Sequence, residues 1–238
     1  MPRKAFFDLI IEMAKLYIVS TPIGNLKDIS QRAIETLKEV DLILCEDTRT
    51  TKKLLNYYQI SKPTTSYHQH SRLNKIEFIL KQLKEGKNLA LASDAGTPTI
   101  SDPGAKLVDY LIGQIPEVKI IPIPGPSAVI AALSVSGFPA DKFVFLGFPP
   151  IKNKRKKFFR EIIDAKYTAA FYESTHRILK TLGELKDILP LERKMVVCRE
   201  LTKKFETIYR GNIRQIIERI NPSTDKKGEF VIVVERKK

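Results

Sequence analysis

Short apolar runs alternate with segments of helical period along this chain, and that alternation constrains the fold more than any other feature. Leu16–Ser20, Val40–Cys45, Thr64–Tyr67, Leu89–Ala92 and Val118–Ile121 read as strands. Between them, Ile29–Leu37, Thr48–Tyr57, Leu73–Leu83 and a stretch from Ala105 to about Ile112 repeat apolar residues at helical spacing. Asp28 or Ser30 is placed to cap the first helix. Strands joined through helices run parallel, and both faces of their sheet are covered. Right-handed crossovers then bring the loops at the carboxyl edge of that sheet into one crevice.

The pattern changes across residues 121–127, where Pro122, Pro124, Gly125 and Pro126 continue neither neighbour. Helices are expected at Ala128–Val135, Phe158–Ile163, Thr175–Leu185 and Ile213–Ile220. Strands are expected at Phe143–Phe148, Ala169–Tyr172, Lys194–Arg199, Glu206–Arg210 and Phe230–Glu235. Two of these strands follow one another with no helix between, which implies an antiparallel pair in a mixed sheet. The expectation is an α/β protein of two α/β domains with a cleft between them. Residues 1–125 hold the parallel sheet and 126–238 the mixed one. Residues 1–14 are too short and too broken for a signal peptide and read as an upstream start or an accessory helix.

The chain has 238 residues, 43% of them hydrophobic, enough for a real core, and no apolar run long enough to span a membrane. Lys and Arg number 41 against 27 Asp and Glu, a formal charge of +14. That excess implies an anionic partner, most naturally nucleic acid, with a merely solvated basic surface as the alternative. Cys45 and Cys198 each sit in a strand-like apolar run, which fits buried thiols in a reducing cytoplasm. No zinc-ligand spacing occurs, so no metal is expected. The dinucleotide, P-loop and nucleophile-elbow fingerprints are absent, which disfavours dehydrogenase, ATPase and serine hydrolase.

Three loops that follow strands remain: residues 21–25, 93–104 and 124–127. The second reads Ser-Asp-Ala-Gly-Thr-Pro-Thr-Ile-Ser-Asp-Pro-Gly, with two Asp, two Ser and two Thr, more than turning requires. Small hydroxyls, carboxylates and glycine backbone suit a ligand that mixes charges with a flat heterocycle; tight turns without a ligand are the alternative. Glu46-Asp47-Thr48-Arg49 places carboxylates and a guanidinium at the same sheet edge, where Asp47 also suits a helix cap. His68 and His70 read as substrate contact or loop surface. Residues 171–177 (Phe-Tyr-Glu-Ser-Thr-His-Arg) suit a second wall, with Glu173 inward and Arg177 facing anions. Lys152, Lys154, Arg155, Lys156 and Lys157 form the densest basic run, and Phe158 and Phe159 follow it, a combination that suits phosphate contact with base stacking.

These motifs carry a resemblance. Residues 21–26 (Thr-Pro-Ile-Gly-Asn-Leu), 46–49, 93–104, 124–128 (Pro-Gly-Pro-Ser-Ala), 145–148 (Phe-Leu-Gly-Phe), 172–177, 200–203 (Glu-Leu-Thr-Lys) and 227–229 (Lys-Gly-Glu) occur in the order of the tetrapyrrole methylase superfamily. More narrowly, from about Leu16 onward the chain resembles the ribosomal RNA small subunit methyltransferase I family. The resemblance implies a class III methyltransferase, usually a homodimer, with S-adenosylmethionine bent into the cleft between two α/β domains. It implies methylation of the ribose 2′-hydroxyl of a decoding-centre cytidine in 16S rRNA of the small ribosomal subunit. Loop chemistry and the resemblance together give Pro22, Gly24, Asp94, Ala95, Gly96, Thr97, Pro98, Ser101 and Ser127 as cofactor contacts. Arg49, His68, Arg177 and the basic run are then RNA contacts, and Asp47, Glu173 and Lys203 are candidate bases. Two departures stand out. Ser71 takes the place of a common Asn, and the chain ends at Lys238 where many members continue, so RNA docking is expected to fall on the core domains and on residues 152–160. A tetrapyrrole or corrinoid methylase, a diphthamide-pathway methylase and a non-catalytic RNA-binding protein are the alternatives.

Overall fold

The computed structural model of the chain describes residues 14–68, 73–220 and 223–237. The expected N-terminal extension, except Ala14, lies outside them, as do His70 and Ser71. The chain divides into two compact units. One ends at Thr21 and resumes over Ile29–Gly125; the other takes Pro22–Asp28 and the described residues from Pro126 onward.

In the first unit β1 (Lys15–Val19), α1 (Gln31–Glu39), β2 (Leu42–Cys45), α2 (Thr48–Tyr57), β3 (Thr64–Ser66), α3 (Leu73–Lys84), β4 (Leu89–Ala92), α4 (Ala105–Gln114) and β5 (Lys119–Ile123) follow in turn. The strands lie in the order β3-β2-β4-β1-β5, every pair parallel. Successive side chains of a strand face opposite sides, and both sides here are apolar. Val19, Ile43, Ala90 and Ala92 pack with Ala33 and Leu37 of α1 and Leu54 and Leu55 of α2. Leu16, Leu42, Leu44, Leu89 and Leu91 pack with Ile79 and Leu83 of α3 and Leu107 and Leu111 of α4. The split has a topological cause. From β1 to β3 the chain moves toward one edge of the sheet, and from β3 to β5 it moves back. Right-handed crossovers made in opposite directions land on opposite faces. The reversal leaves β1 and β4 side by side with their outgoing chains on opposite faces of the sheet, a topological switch point.

Ser30 caps α1, its hydroxyl accepting from Ala33 N at 3.2 Å, while Asp28 lies in a short 3-10 turn over Leu26–Asp28. β5 runs on through Pro122, beyond the expected end at Ile121. It is an edge strand, so a residue without an N–H is tolerated there.

The second unit contains α5 (Ala128–Ser136), β6 (Phe143–Phe145), α6 (Arg155–Asp164), β7 (Thr168–Ser174), α7 (Ile178–Ile188), β8 (Met195–Arg199), β9 (Thr207–Gly211), α8 (Ile213–Arg219) and β10 (Glu229–Val234). The order is β6-β7-β10-β8-β9, with β6–β7 parallel and the other pairs antiparallel, a mixed sheet. Helices α6, α7 and α8 bury Phe159, Ile162, Leu182, Leu185, Ile213 and Ile216 on one face. On the other, Val129, Ala132 and Leu133 of α5 pack with Ile23, Ala170, Val196 and Val231. Cys45 and Cys198 are both buried thiols, and burial pushes Cys198 up to about 12. Among the described residues no helix is long and apolar enough to cross a membrane.

Candidate functional site

The loops that leave β1 and β4 at the switch point are tied to each other. Thr21 N–H donates to Gly96 O at 2.9 Å and Gly96 N–H returns to Thr21 O at 3.1 Å, a one-bridge extension of the sheet beyond its strands. The Thr21 hydroxyl donates to Ser93 O at 3.0 Å, and the Ser20 and Thr97 hydroxyls meet at 2.9 Å. Ser93 donates its hydroxyl to Gly96 O at 2.9 Å. These bonds hold Gly96 and Pro98 inside and leave Asp94 and Ala95 exposed at the tip, with Thr97 half-buried. Backbone strain follows. Thr99 and Ser101 have φ of 74° and 63°, a left-handed conformation unfavourable for a β-branched threonine. A Cβ on Gly104 would stand 2.8 Å from Leu91 Cδ2 and 2.9 Å from Thr99 Cγ2. The loop is thus rigid, strained and polar, as ligand-holding loops are.

Four carboxylates line this edge. Asp47 caps α2, accepting Arg49 N–H at 2.8 Å, and its own N–H donates to Asp94 Oδ1 at 3.1 Å. Arg49 folds back on Asp47 with Nη2–Oδ2 at 2.7 Å, and this side-chain bond leads in holding the Asp47 carboxyl down at about 2. The other three move the opposite way. Partial desolvation leads in raising Glu46, Asp94 and Asp102, and neighbouring carboxylates add to it, Asp94 at Glu46, Asp47 at Asp94, and Glu46 with Asp94 at Asp102, which is pushed up to about 6. His68, exposed just after β3, lies close enough for its field to reach Glu46 and Asp94. The structure therefore brings Asp47, Arg49, His68, Asp94, Gly96, Thr97 and Ser101 to one edge, and adds Asp102. Asp102 was not among the sequence candidates. Its signal was a second Asp in the same Gly/Pro loop, but its burial is not legible in sequence.

In the second unit the sequence candidates take other roles. Glu173 is buried: its Oε1 accepts Ser174 N–H at 2.7 Å and lies 2.9 Å from Arg177 Nε, and its Oε2 accepts the Thr181 hydroxyl at 2.5 Å. Arg155 corrects the reading of the basic run. It is buried at 6% exposure, donating from Nε to Glu184 at 2.6 Å and from Nη2 to Thr181 at 2.6 Å, so it is not a surface phosphate contact. The cause is visible in its spacing, since Arg155, Phe158, Phe159 and Ile162 form the inner face of α6. Phe158 and Phe159 are core residues too, not stacking platforms. Lys152, Lys154, Lys156 and Lys157 remain exposed.

Lys203 is held 3.0 Å from Glu200 Oε1 and 2.9 Å from Glu229 Oε2. Burial alone would depress it, but these two carboxylates outweigh burial and keep its ammonium above the ordinary value. Lys203, a candidate base in the sequence, is therefore held as its ammonium. Gly24 packs against this segment: a Cβ there would meet Lys203 Cγ and stand 2.8 Å from Thr202 Oγ1, and Asn25 N–H donates to Thr202 Oγ1 at 3.1 Å. Pro22 is buried beside Ile23 of the second core. Ser127 sits at the N-cap of α5 without a side-chain capping bond.

Comparison with known proteins fits this architecture. The family model of tetrapyrrole (corrin/porphyrin) methylases matches residues 15–217. The fold is shared with the methyltransferase CobJ (TM-score 0.68, 18% identity, 94% of each chain) and with diphthine synthase (TM-score 0.70, 13% identity, 93% of this chain and 90% of that one). Sequence relatives are much nearer. The ribosomal RNA small subunit methyltransferase I of Vibrio cholerae is 49% identical over 92% of this chain and 76% of its own. That of Synechocystis is 47% identical over 93% and 79%, and that of Bacillus subtilis 45% over 98% and 79%. The chain therefore belongs to the tetrapyrrole methylases and, within them, to the ribosomal RNA small subunit methyltransferase I family.

Proposed function

We propose that this protein transfers the methyl group of S-adenosylmethionine to the 2′-hydroxyl of a decoding-centre cytidine in 16S rRNA. The observation that carries the reading is the strained, cross-braced loop over residues 93–104 at the switch point of the first sheet, in a chain whose relatives are named for rRNA methylation. The formal charge of +14 supports an RNA acceptor over a tetrapyrrole.

The donor set fits the cofactor. Glu46, Asp94 and Asp102 give an acidic edge suited to a ligand with a sulfonium and an ammonium, and the loop adds hydroxyls and backbone groups. Asp94, Ala95, Gly96, Thr97, Pro98 and Ser101 are our cofactor contacts, with Pro22 and Ser127 as further candidates. We assign Gly24 instead to close packing against Lys203. Bound S-adenosylmethionine supplies an electrophilic methyl group whose transfer discharges the sulfonium. Transfer is an in-line displacement, so the chain contributes mainly position, with a group that accepts the proton of the attacking hydroxyl. Asp47 is too acidic for that, Glu173 is enclosed by its own partners, and Lys203 is held protonated. Asp102 lies in the same loop as the proposed cofactor contacts and its carboxyl is pushed up to about 6, so it is the group proposed for this role. Arg49 and the exposed lysines serve the phosphates, whereas the guanidinium of Arg177 is held by Glu173 and Pro149 O. The enzyme works in the cytoplasm as a homodimer on this reading.

The test is methyl transfer from labelled S-adenosylmethionine to small subunits of a strain lacking the enzyme, with cofactor affinity measured by calorimetry. Asp94→Ala is expected to lose cofactor affinity and transfer together. A wild-type protein with no affinity for the cofactor would refute the proposal and favour a non-catalytic RNA-binding protein.

A further inference from the structure

Tyr167 and Phe205 stand exposed under lysines elsewhere in the second unit, but with Phe158 and Phe159 in the core the exposed ring that adjoins the basic run in sequence is Phe148. Phe148, at 49% exposure, lies on the amino-terminal side of the basic run. Its position is built. After β6 the chain stays alongside β7, Leu146 N–H donating to Ala170 O at 2.9 Å and Tyr172 N–H to Gly147 O at 2.8 Å. Gly147 then turns at φ 64°, a conformation that favours glycine, and Phe148 follows. One side of the ring is supported. Phe148 meets Tyr172 edge-on with centroids 5.4 Å apart, and Tyr172 meets Phe145 at 4.8 Å.

The two residues after Phe148 are fixed by arginines of the buried network. Arg177 Nη1 donates to Pro149 O at 2.8 Å and Arg155 Nη1 to Pro150 O at 3.1 Å. Arg177 is anchored on Glu173 at 2.9 Å and Arg155 on Glu184 at 2.6 Å. Two proline carbonyls, two arginines and two carboxylates thus hold an exposed apolar ring in one place. These bonds also satisfy the donors of Arg155 and Arg177, and by fixing the segment that carries Phe148 they leave a ring that loses little entropy when a ligand arrives. Four exposed lysines, Lys152, Lys154, Lys156 and Lys157, continue directly from this segment.

From this juxtaposition we infer that Phe148 is a stacking platform for an unpaired RNA base whose flanking phosphates are held by Lys152, Lys154, Lys156 and Lys157. Single-stranded RNA is bound by this pairing of an aromatic face with a basic track. The inference deepens the proposed function and rests on it. Glu173, Arg155 and Arg177 act on this platform as positioning residues.

The test compares wild type, Phe148→Ala, Phe148→Leu, Phe148→Tyr and the double variant Lys156→Ala/Lys157→Ala of the full chain. Binding to a labelled single-stranded RNA oligonucleotide and to unmethylated small subunits is measured over a range of salt. Phe148→Ala and Phe148→Leu are expected to weaken both about 5- to 100-fold without changing the salt slope, and Phe148→Tyr to restore most of the affinity. The lysine variant is expected to lower the salt slope by about 1 to 2. Unchanged RNA affinity in Phe148→Ala would overturn the inference. So would loss of S-adenosylmethionine affinity in its place, or a change from dimer to monomer by sedimentation. If wild type itself binds neither RNA nor subunits, the functional reading fails, and that result is read from wild type alone.

Discussion

Asp102 illustrates how one side chain couples stability to chemistry. Burial and the charges of Glu46 and Asp94 push its carboxyl up from an ordinary 3.8 to about 6 in the fold. Between those two values the folded protein binds the extra proton. Stability therefore falls as pH rises from about 4 to about 6 and stays lower above. Asp102→Asn is expected to remove that fall in urea titrations across pH. If Asp102 accepts the proton, the same variant slows methyl transfer about 10²- to 10⁴-fold and abolishes a rise in rate through pH 6. Gly24 makes a contrasting case. Gly24→Ala forces a methyl onto Lys203 and Thr202, and is expected to lower the melting temperature and free the Glu200–Lys203 turn, read as faster amide exchange at Asn25. Residue types announced the loop over 93–104 in the sequence. The direction of each pKa shift did not, since it depends on burial and on neighbours brought together by the sheet.

At the scale of elements, α6 separates two kinds of basic residue that look alike in sequence. Arg155 lies on the inner face and Lys156 on the outer. Arg155→Ala leaves Glu173 and Glu184 short of a cation and is expected to cost about 3–5 kcal/mol in denaturant unfolding. Lys156→Ala is expected to stay within about 0.5 kcal/mol. The helical period was sufficient to place Arg155 inside, but a run of five neighbouring charges hides it. Most strands and helices were legible because apolar spacing reports burial directly. Boundaries slipped where another rule competed. β5 continued through Pro122 because it is an edge strand, and α7 began at Ile178 after a turn that the Glu173–Arg177 pair closes.

For the whole molecule, alternation of strand and helix was enough to forecast a parallel sheet followed by a mixed one. It did not forecast that Pro22–Asp28 would pack with the second unit. The partner of Asn25 is Thr202, 177 positions away, and no local pattern encodes such a contact. The formal charge of +14 acts over the whole chain. Affinity for small subunits is expected to fall steeply with salt, by about 10³-fold or more between 50 and 200 mM if six or more phosphates are engaged. A map of ribose methylation in 16S rRNA reads the proposed activity directly. Small subunits from a strain lacking the enzyme are incubated with the protein and S-adenosylmethionine, and the rRNA is digested and read by mass spectrometry. The proposed activity gives one new 2′-O-methylcytidine in the decoding centre, absent with Asp94→Ala. Methylation on a base, or no new methyl group in the rRNA, would contradict it.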